Sequence, residues 1–206
     1  MSQATAFDAH RTKLWNELVI LNDAWAQYTY LFTESEERIR MLNACARWFF
    51  GSTQRLMMRD VILGISRLTD PPKTGKHANL VLASLLEDPN IGKHRGLRSQ
   101  LEKAIEKVKA DAEPIRYHRD KYIAHLDEPT AVEATKNPLP GIKKGLIGQI
   151  IDELGKAYNV HGSRTRDSHA FFQLTALGSA KSLVEILESS ERWALWKKLN
   201  SDKKVT

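Results

Sequence analysis

Cysteine occurs once, at Cys45, so the chain cannot form an internal disulfide. Its apolar helical context, LNACARWFF, reads as that of a small core hydrophobe, and such sparing cysteine use favours a reducing compartment. Long apolar runs are also missing. The longest, such as LVIL and VILGI, are four or five residues, against the roughly 20 needed to span a bilayer. The first fifteen residues, MSQATAFDAHRTKLW, are charged and lack the apolar segment of a secretory signal. A cytoplasmic protein without a membrane partner is expected. H-E-x-x-H, C-x-x-C, G-x-x-x-x-G-K-[ST] and G-x-S-x-G are all absent, which leaves no motif support for a zinc centre, a phosphate-loop hydrolase or a serine-elbow esterase. No metal or other cofactor is expected. There is no strand alternation, internal repeat or low-complexity segment.

Basic charge is in excess. The formal net charge is +6 and the pI about 9.4, which suits a polyanionic partner. The basic residues gather at 92–98 (GKHRGLR), 116–121 (RYHRDK), 141–145 (GIKKG), 163–166 (SRTR) and in the tail WKKLNSDKK. Aromatics are not interleaved with these clusters as in a base-stacking platform, so phosphate contact is favoured over base readout. Trp15, Trp25, Trp48, Trp193 and Trp196 read as core or interface anchors. His161 and His169 flank the SRTR loop and read as solvated.

The pattern is helical throughout. Phe7, Leu14, Leu18, Leu21, Trp25, Tyr28 and Phe32 fall on one face of a long first helix. In TESEER, Thr33 and Glu36 form a candidate capping box for a second helix that runs to about residue 67. On it Ile39, Leu42, Ala46, Phe49, Thr53, Leu56 and Leu63 share a face, and TDPP at 69–72 ends it. Asp70 there reads as a turn residue. A short helix near 79–87 comes next, then a long element over 92–126 in which Pro114 marks a kink or a new first turn. The span 127–145 is a connecting excursion, residues 146–158 form a fourth helix, and a last helix covers about 170–199. The expected class is all-α, an up-and-down bundle with a long central helix pair and accessory helices. One domain is expected over 1–206, with its core at about 7–160 and the last helix as an accessory.

Leu101, Ile105, Val108, Ala112, Ile115, position 119, Tyr122 and Leu126 recur at alternating spacings of four and three, and position 119 is Arg119. An arginine on a buried seam costs several kcal/mol unless it is paired or faces a wet cleft. One reading pairs it with an aspartate, either Asp60 on the second helix or the adjacent Asp120. The other places it in a functional cleft. His125 lies about 120° around the helix from Arg119, on the flank of the same seam. His118 shares a face with His125, about 10 Å away along the axis, too far for one metal ion.

RDKYIAH resembles the R-x(4–6)-H signature of the HEPN superfamily, with Asp120 where that superfamily favours a polar residue after the arginine. LGISRLTDP (63–71) together with HRDKYIAHLD (118–127) is similar to the AbiU-like branch, which is associated with abortive infection. The resemblance covers about residues 10–160. It implies a HEPN-type bundle and a metal-independent endoribonuclease of toxin or phage-defence type. Arg119 and His125 would then be the catalytic pair and Asp120 their orienter. His118, Lys121 and Arg116 are candidate substrate-phosphate contacts. RNA and a second copy of the chain are the implied partners, because one histidine cannot act as both base and acid in a single step and relatives bring two motifs together across a dimer cleft. Toxins encoded beside a small nucleotidyltransferase often carry a tyrosine two positions after the histidine. Here that position is Asp127, so neutralisation by that route is not expected, while another antitoxin or regulatory partner is left open. The alternative is a catalytically inactive HEPN module that binds nucleotide, RNA or a protein.

Overall fold

A computed structural model describes residues 3–124, 142, 144–172 and 179–201. Helix α1 spans Gln3–Phe32 and buries most of the expected stripe, with Phe7, Leu14, Leu18, Leu21, Tyr28 and Phe32 in the core and Trp25 half-buried. Helix α2 spans Glu36–Thr69. Its cap is Ser35 rather than Thr33: the Arg38 amide donates to Ser35 Oγ at 3.2 Å. The Thr33 hydroxyl instead donates to the carbonyl of Thr29 at 2.9 Å, closing the end of α1.

The expected face of α2 does not run straight through. At Ala46 the backbone leaves helical geometry (φ −161°, ψ 70°), and the periodicity changes phase there. Phe49 and Leu56, expected inside, are each 64% exposed, whereas Phe50, Val61, Ile62, Ile65 and Leu68 are buried. Trp48 is 86% exposed, unlike Trp193 at 2%. After α2, strands β1 (Lys73–Thr74) and β2 (His77–Ala78) pair antiparallel, with Lys73 opposite Ala78 and Thr74 opposite His77. Gly75 supplies the positive φ of +59° that this two-residue turn needs. In place of the expected short α-helix there are two 3₁₀ turns, Leu82–Glu87 and Ile91–Lys93.

Of the long element expected over 92–126, the described residues from Leu97 to Ala124 form three pieces, and 125–126 lie outside the described residues. Helix α3 is Leu97–Asp111 and α4 is Glu113–His118, with Pro114 in the first turn of α4, where its missing N–H is harmless. A π-turn then covers Arg119–Ala124. Helix α5, Lys144–Thr165, lies along α3. Leu101, Ile105 and Val108 on α3 and Ile147, Ile150, Ile151 and Leu154 on α5 are buried. At the edge of this pair Lys107 bridges Asp111, at 2.8 Å, and Glu153. Helix α5 continues past the expected end at Tyr158 and carries His161 into the interior, where it is 0% exposed. The expectation of a solvated His161 is therefore overturned.

The chain gathers into two compact units, residues 1–22 with 61–173, and residues 23–60 with 174–206. The first holds the α3–α5 pair and the π-turn. Within it α1 meets α2 closely, since a Cβ on Gly64 would stand 3.0 Å from Leu21 Cδ1. The second unit has its own core of Tyr28, Leu31, Phe32, Met41, Leu42, Phe50, Ala180, Val184 and Trp193, with Cys45 half-buried against it. The expected single last helix is two, α6 (Ala180–Glu188) and α7 (Glu191–Ser201). Ser189 and Ser190 separate them, and Ser190 Oγ accepts from the Trp193 amide at 3.3 Å. The described residues are helical apart from the small hairpin and connecting turns, so the protein is all-α.

Candidate functional site

Two arginines one turn apart grip two consecutive residues at the end of α2. Arg116 on α4 donates through Nη1 to the carbonyl of Thr69 at 2.8 Å and through Nη2 to that of Lys109 at 3.3 Å. Both carbonyls belong to last turns of helices, where backbone acceptors lack intrahelical partners and the dipole favours a cation. Arg116, a candidate phosphate contact in the sequence, is thus engaged in closing α2 and α3. Arg119 opens the π-turn, and its Nη1 reaches both carboxylate oxygens of Asp70, at 2.7 and 2.6 Å. Its Nε donates to Asp120 Oδ1 at 2.7 Å.

These contacts fix the charge of Arg119. Partial burial works against the guanidinium, but the hydrogen bonds to Asp120 and Asp70 outweigh it, and its pKa lies above the ordinary arginine value. The site is not sealed: the side chains of Arg119 and Asp70 are 20% and 24% exposed, and that of Asp120 is 57% exposed. The apolar seam ends at Ile115, which is fully buried. Beyond it the π-turn's i→i+5 bonding holds more residues per turn and rotates the later positions off the 3.6-residue stripe. Tyr122, expected on the seam, is accordingly 46% exposed.

The structure thus brings Arg116, Arg119, Asp120 and Asp70 to one corner. His118 and Lys121 lie on the same short stretch and are half-buried, and His125 lies outside the described residues. Of the aspartates expected to meet Arg119, Asp120 does, whereas Asp60 is exposed on α2. Arg67, three residues before Asp70, pairs with Glu17 at 3.6 Å and takes no part in this corner. Asp70 is the residue that sequence reasoning assigns only to a turn. The signal for more is its position: it comes directly after the last helical residue and precedes two prolines, which hold the chain extended just where α2 stops.

The AbiU2 family of HEPN proteins matches residues 4–181. The chain belongs to this family. No curated protein and no solved structure gives a match. The AbiU2 match takes in α1 to α5 and the whole Arg119 corner, so the R-x(4–6)-H stretch lies in an abortive-infection-associated HEPN domain. Among the described residues no group of His, Cys, Asp or Glu is placed to hold a metal ion, and no helix is long and apolar enough to cross a membrane.

A second polar pair lies in the same unit. His161 Nε2 and Asp88 Oδ2 are 2.8 Å apart, with side chains 0% and 2% exposed. Asp88 Oδ1 accepts from the Asn90 amide at 2.7 Å, while His161 Nδ1 is buried with no hydrogen-bond partner among the described residues. Burial pushes the His161 imidazole below its ordinary pKa; Asp88 opposes this, and Arg11 and Arg166 add to it. Almost no solvent reaches this pair. It has the character of a structural pin rather than a reacting one.

Proposed function

We propose that this AbiU2-family chain is a metal-independent endoribonuclease, acting as a toxin or abortive-infection effector, in which Arg119 and His125 are the reacting pair. His125 takes the proton from a ribose 2′-hydroxyl, whose oxygen attacks the adjacent phosphorus. The P–O5′ bond breaks as the new P–O2′ bond forms, leaving a 2′,3′-cyclic phosphate. A proton must reach the departing 5′-oxygen, and a second His125, from another copy of the chain, is the proposed donor. Arg119 offsets charge gathering on the non-bridging oxygens, a role in which losing one donor costs about 10²–10³ in rate. Asp120 orients the guanidinium. His118 and Lys121 extend the contact along the RNA backbone.

The observation that carries this reading is the posture of Arg119. It is charged, half-buried and aimed by two carboxylates at the solvent margin of a helical seam. The same posture also favours a second reading, in which the domain binds RNA, nucleotide or a protein without cutting, because the carboxylates already satisfy the guanidinium. The deciding experiment is RNA cleavage with EDTA present, with Arg119→Ala and His125→Ala as controls. Cleavage in the parent and its loss in both folded variants supports the nuclease. Intact RNA bound with micromolar affinity supports the silent module. Light scattering checks the assembly, and a stable monomer with full cleavage activity overturns the dimer.

A further inference from the structure

Arg11, on the first third of α1, faces the C-terminal third of α5 and the segment just after it. Several contacts pin that segment. Asn159 brackets Ala170, its amide donating to the Ala170 carbonyl at 3.0 Å and its Oδ1 accepting from the Ala170 amide at 2.8 Å. Asn159 Nδ2 also lies 3.3 Å from His169 Nε2. The Ser168 amide donates to the Gly162 carbonyl at 3.3 Å. Only glycine permits that approach: a Cβ at 162 would stand 2.9 Å from the Ser168 carbonyl oxygen and 3.3 Å from Arg11 Nη2. The result is a cavity of about 310 Å³ lined by Arg11, Thr12, Trp15, Tyr158, Ser168 and His169.

The charge in this cavity is unbalanced. Among the described residues Arg11 forms no ion pair with a carboxylate. Its Nη2 donates to Ser168 Oγ at 3.2 Å, its guanidinium lies 5.2 Å from the centre of the Tyr158 ring, and its buried Nε has no hydrogen-bond partner among the described residues. The nearby carboxylate of Asp8 is taken by Arg166. A cation partly withdrawn from water, with its Nε buried and no counter-ion, carries a cost that an anion relieves. Neighbouring groups register the same field. Burial raises the Tyr158 phenol above its ordinary pKa, and Arg11 and Arg166 both pull against that rise.

We propose that this cavity is a second binding site, for a small phosphomonoester, with Arg11 as its counter-charge. The hydroxyls of Thr12 and Ser168 and the His169 ring are the further hydrogen-bonding partners of the phosphate oxygens. Trp15, 38% exposed, offers an aromatic face to whatever organic body the phosphate carries. The volume suits a compact ligand, since pockets for drug-sized molecules start at about 300 Å³.

Calorimetric titration of the full chain with inorganic phosphate and with phenyl phosphate, at matched ionic strength, tests the site. Phenyl phosphate is expected to bind more tightly than inorganic phosphate. Arg11→Met should weaken both at least tenfold while leaving the thermal midpoint without ligand unchanged or raised, because it removes an uncompensated charge. Ser168→Ala, a smaller change, should weaken binding several-fold and serves if Arg11→Met does not fold. Arg119→Met should leave binding intact, which separates this site from the proposed RNA site. Equal affinity in Arg11→Met, loss of binding in Arg119→Met, or no heat with either probe at millimolar concentration overturns the proposal.

Discussion

Asp70 and Asp88 each come directly after a helical segment and each receive a nitrogen from a distant part of the chain, Arg119 Nη1 at 2.6 Å and His161 Nε2 at 2.8 Å. The bonds are alike in length and differ in access to water. About a fifth to a quarter of each side chain is exposed in the first pair and almost none in the second. A pair in contact with water can exchange one partner for a phosphate oxygen at little cost. A sealed pair cannot, because losing the imidazole leaves the Asp88 carboxylate in a medium that does not solvate it. Similar pairing therefore serves a candidate reacting site in one place and the stability of the fold in the other.

The largest effect should come from breaking the sealed pair. His161→Leu leaves the Asp88 carboxylate buried beside a single backbone donor and should cost about 3–5 kcal/mol of stability, read by urea unfolding. A loss below about 1 kcal/mol would mean that water reaches Asp88 after all, and the two pairs would no longer differ in kind.

The same pair predicts a dependence on pH. The folded His161 pKa lies below the ordinary 6.5, so the unfolded chain binds the proton more readily. Stability contributed by the neutral ring is fully present above about pH 6.5 and declines as pH falls from there through the folded pKa. Urea midpoints measured down this range should fall in the parent, and His161→Leu should flatten the slope.

Arg119→Met should cost less stability, about 1–2 kcal/mol, since Asp70 and Asp120 can both turn to water. RNA cleavage should nevertheless drop by about 10²–10³. A stability loss as large as that of His161→Leu with cleavage unchanged would make Arg119 a structural residue too. The smallest effect is expected from Asp70→Asn, within about 1 kcal/mol of the parent. Removing one of the two carboxylates that hold Arg119 should tighten RNA binding at low salt, measurable by fluorescence anisotropy. Weaker binding would mean that Asp70 aims the arginine more than it competes for it.

Much of the architecture is legible in the sequence because burial obeys simple periods. The stripe of α1 and the facing rows of α3 and α5 come directly from spacings of three and four. The features that escape depend on local exceptions. The interruption at Ala46 has no proline or glycine at the site to announce it, so the period carries straight through and puts Phe49 and Leu56 inside. Ser35 and Thr33 are both good caps, and only the end of α1 decides between them. His161 extends the α5 stripe at a spacing of three from the buried Tyr158, but Gly162 and the basic SRTR disguise those turns as loop. At the candidate site, Arg119 stands out as a charge on an apolar seam. Asp70 does not, because the pairing joins residues 49 positions apart and no sequence period reports such a contact.

The π-turn has a consequence for how this stretch can change in length. It covers all five residues between Arg119 and His125. A π-turn is an α-helix that has accepted one surplus residue, and deleting that residue restores ordinary winding without moving the turns before it. Loss of one residue here is therefore absorbed locally, and the grip of Arg116 and Arg119 on the end of α2 stays in place. A spacing of four intervening residues in place of five is the change such a segment would tolerate most readily.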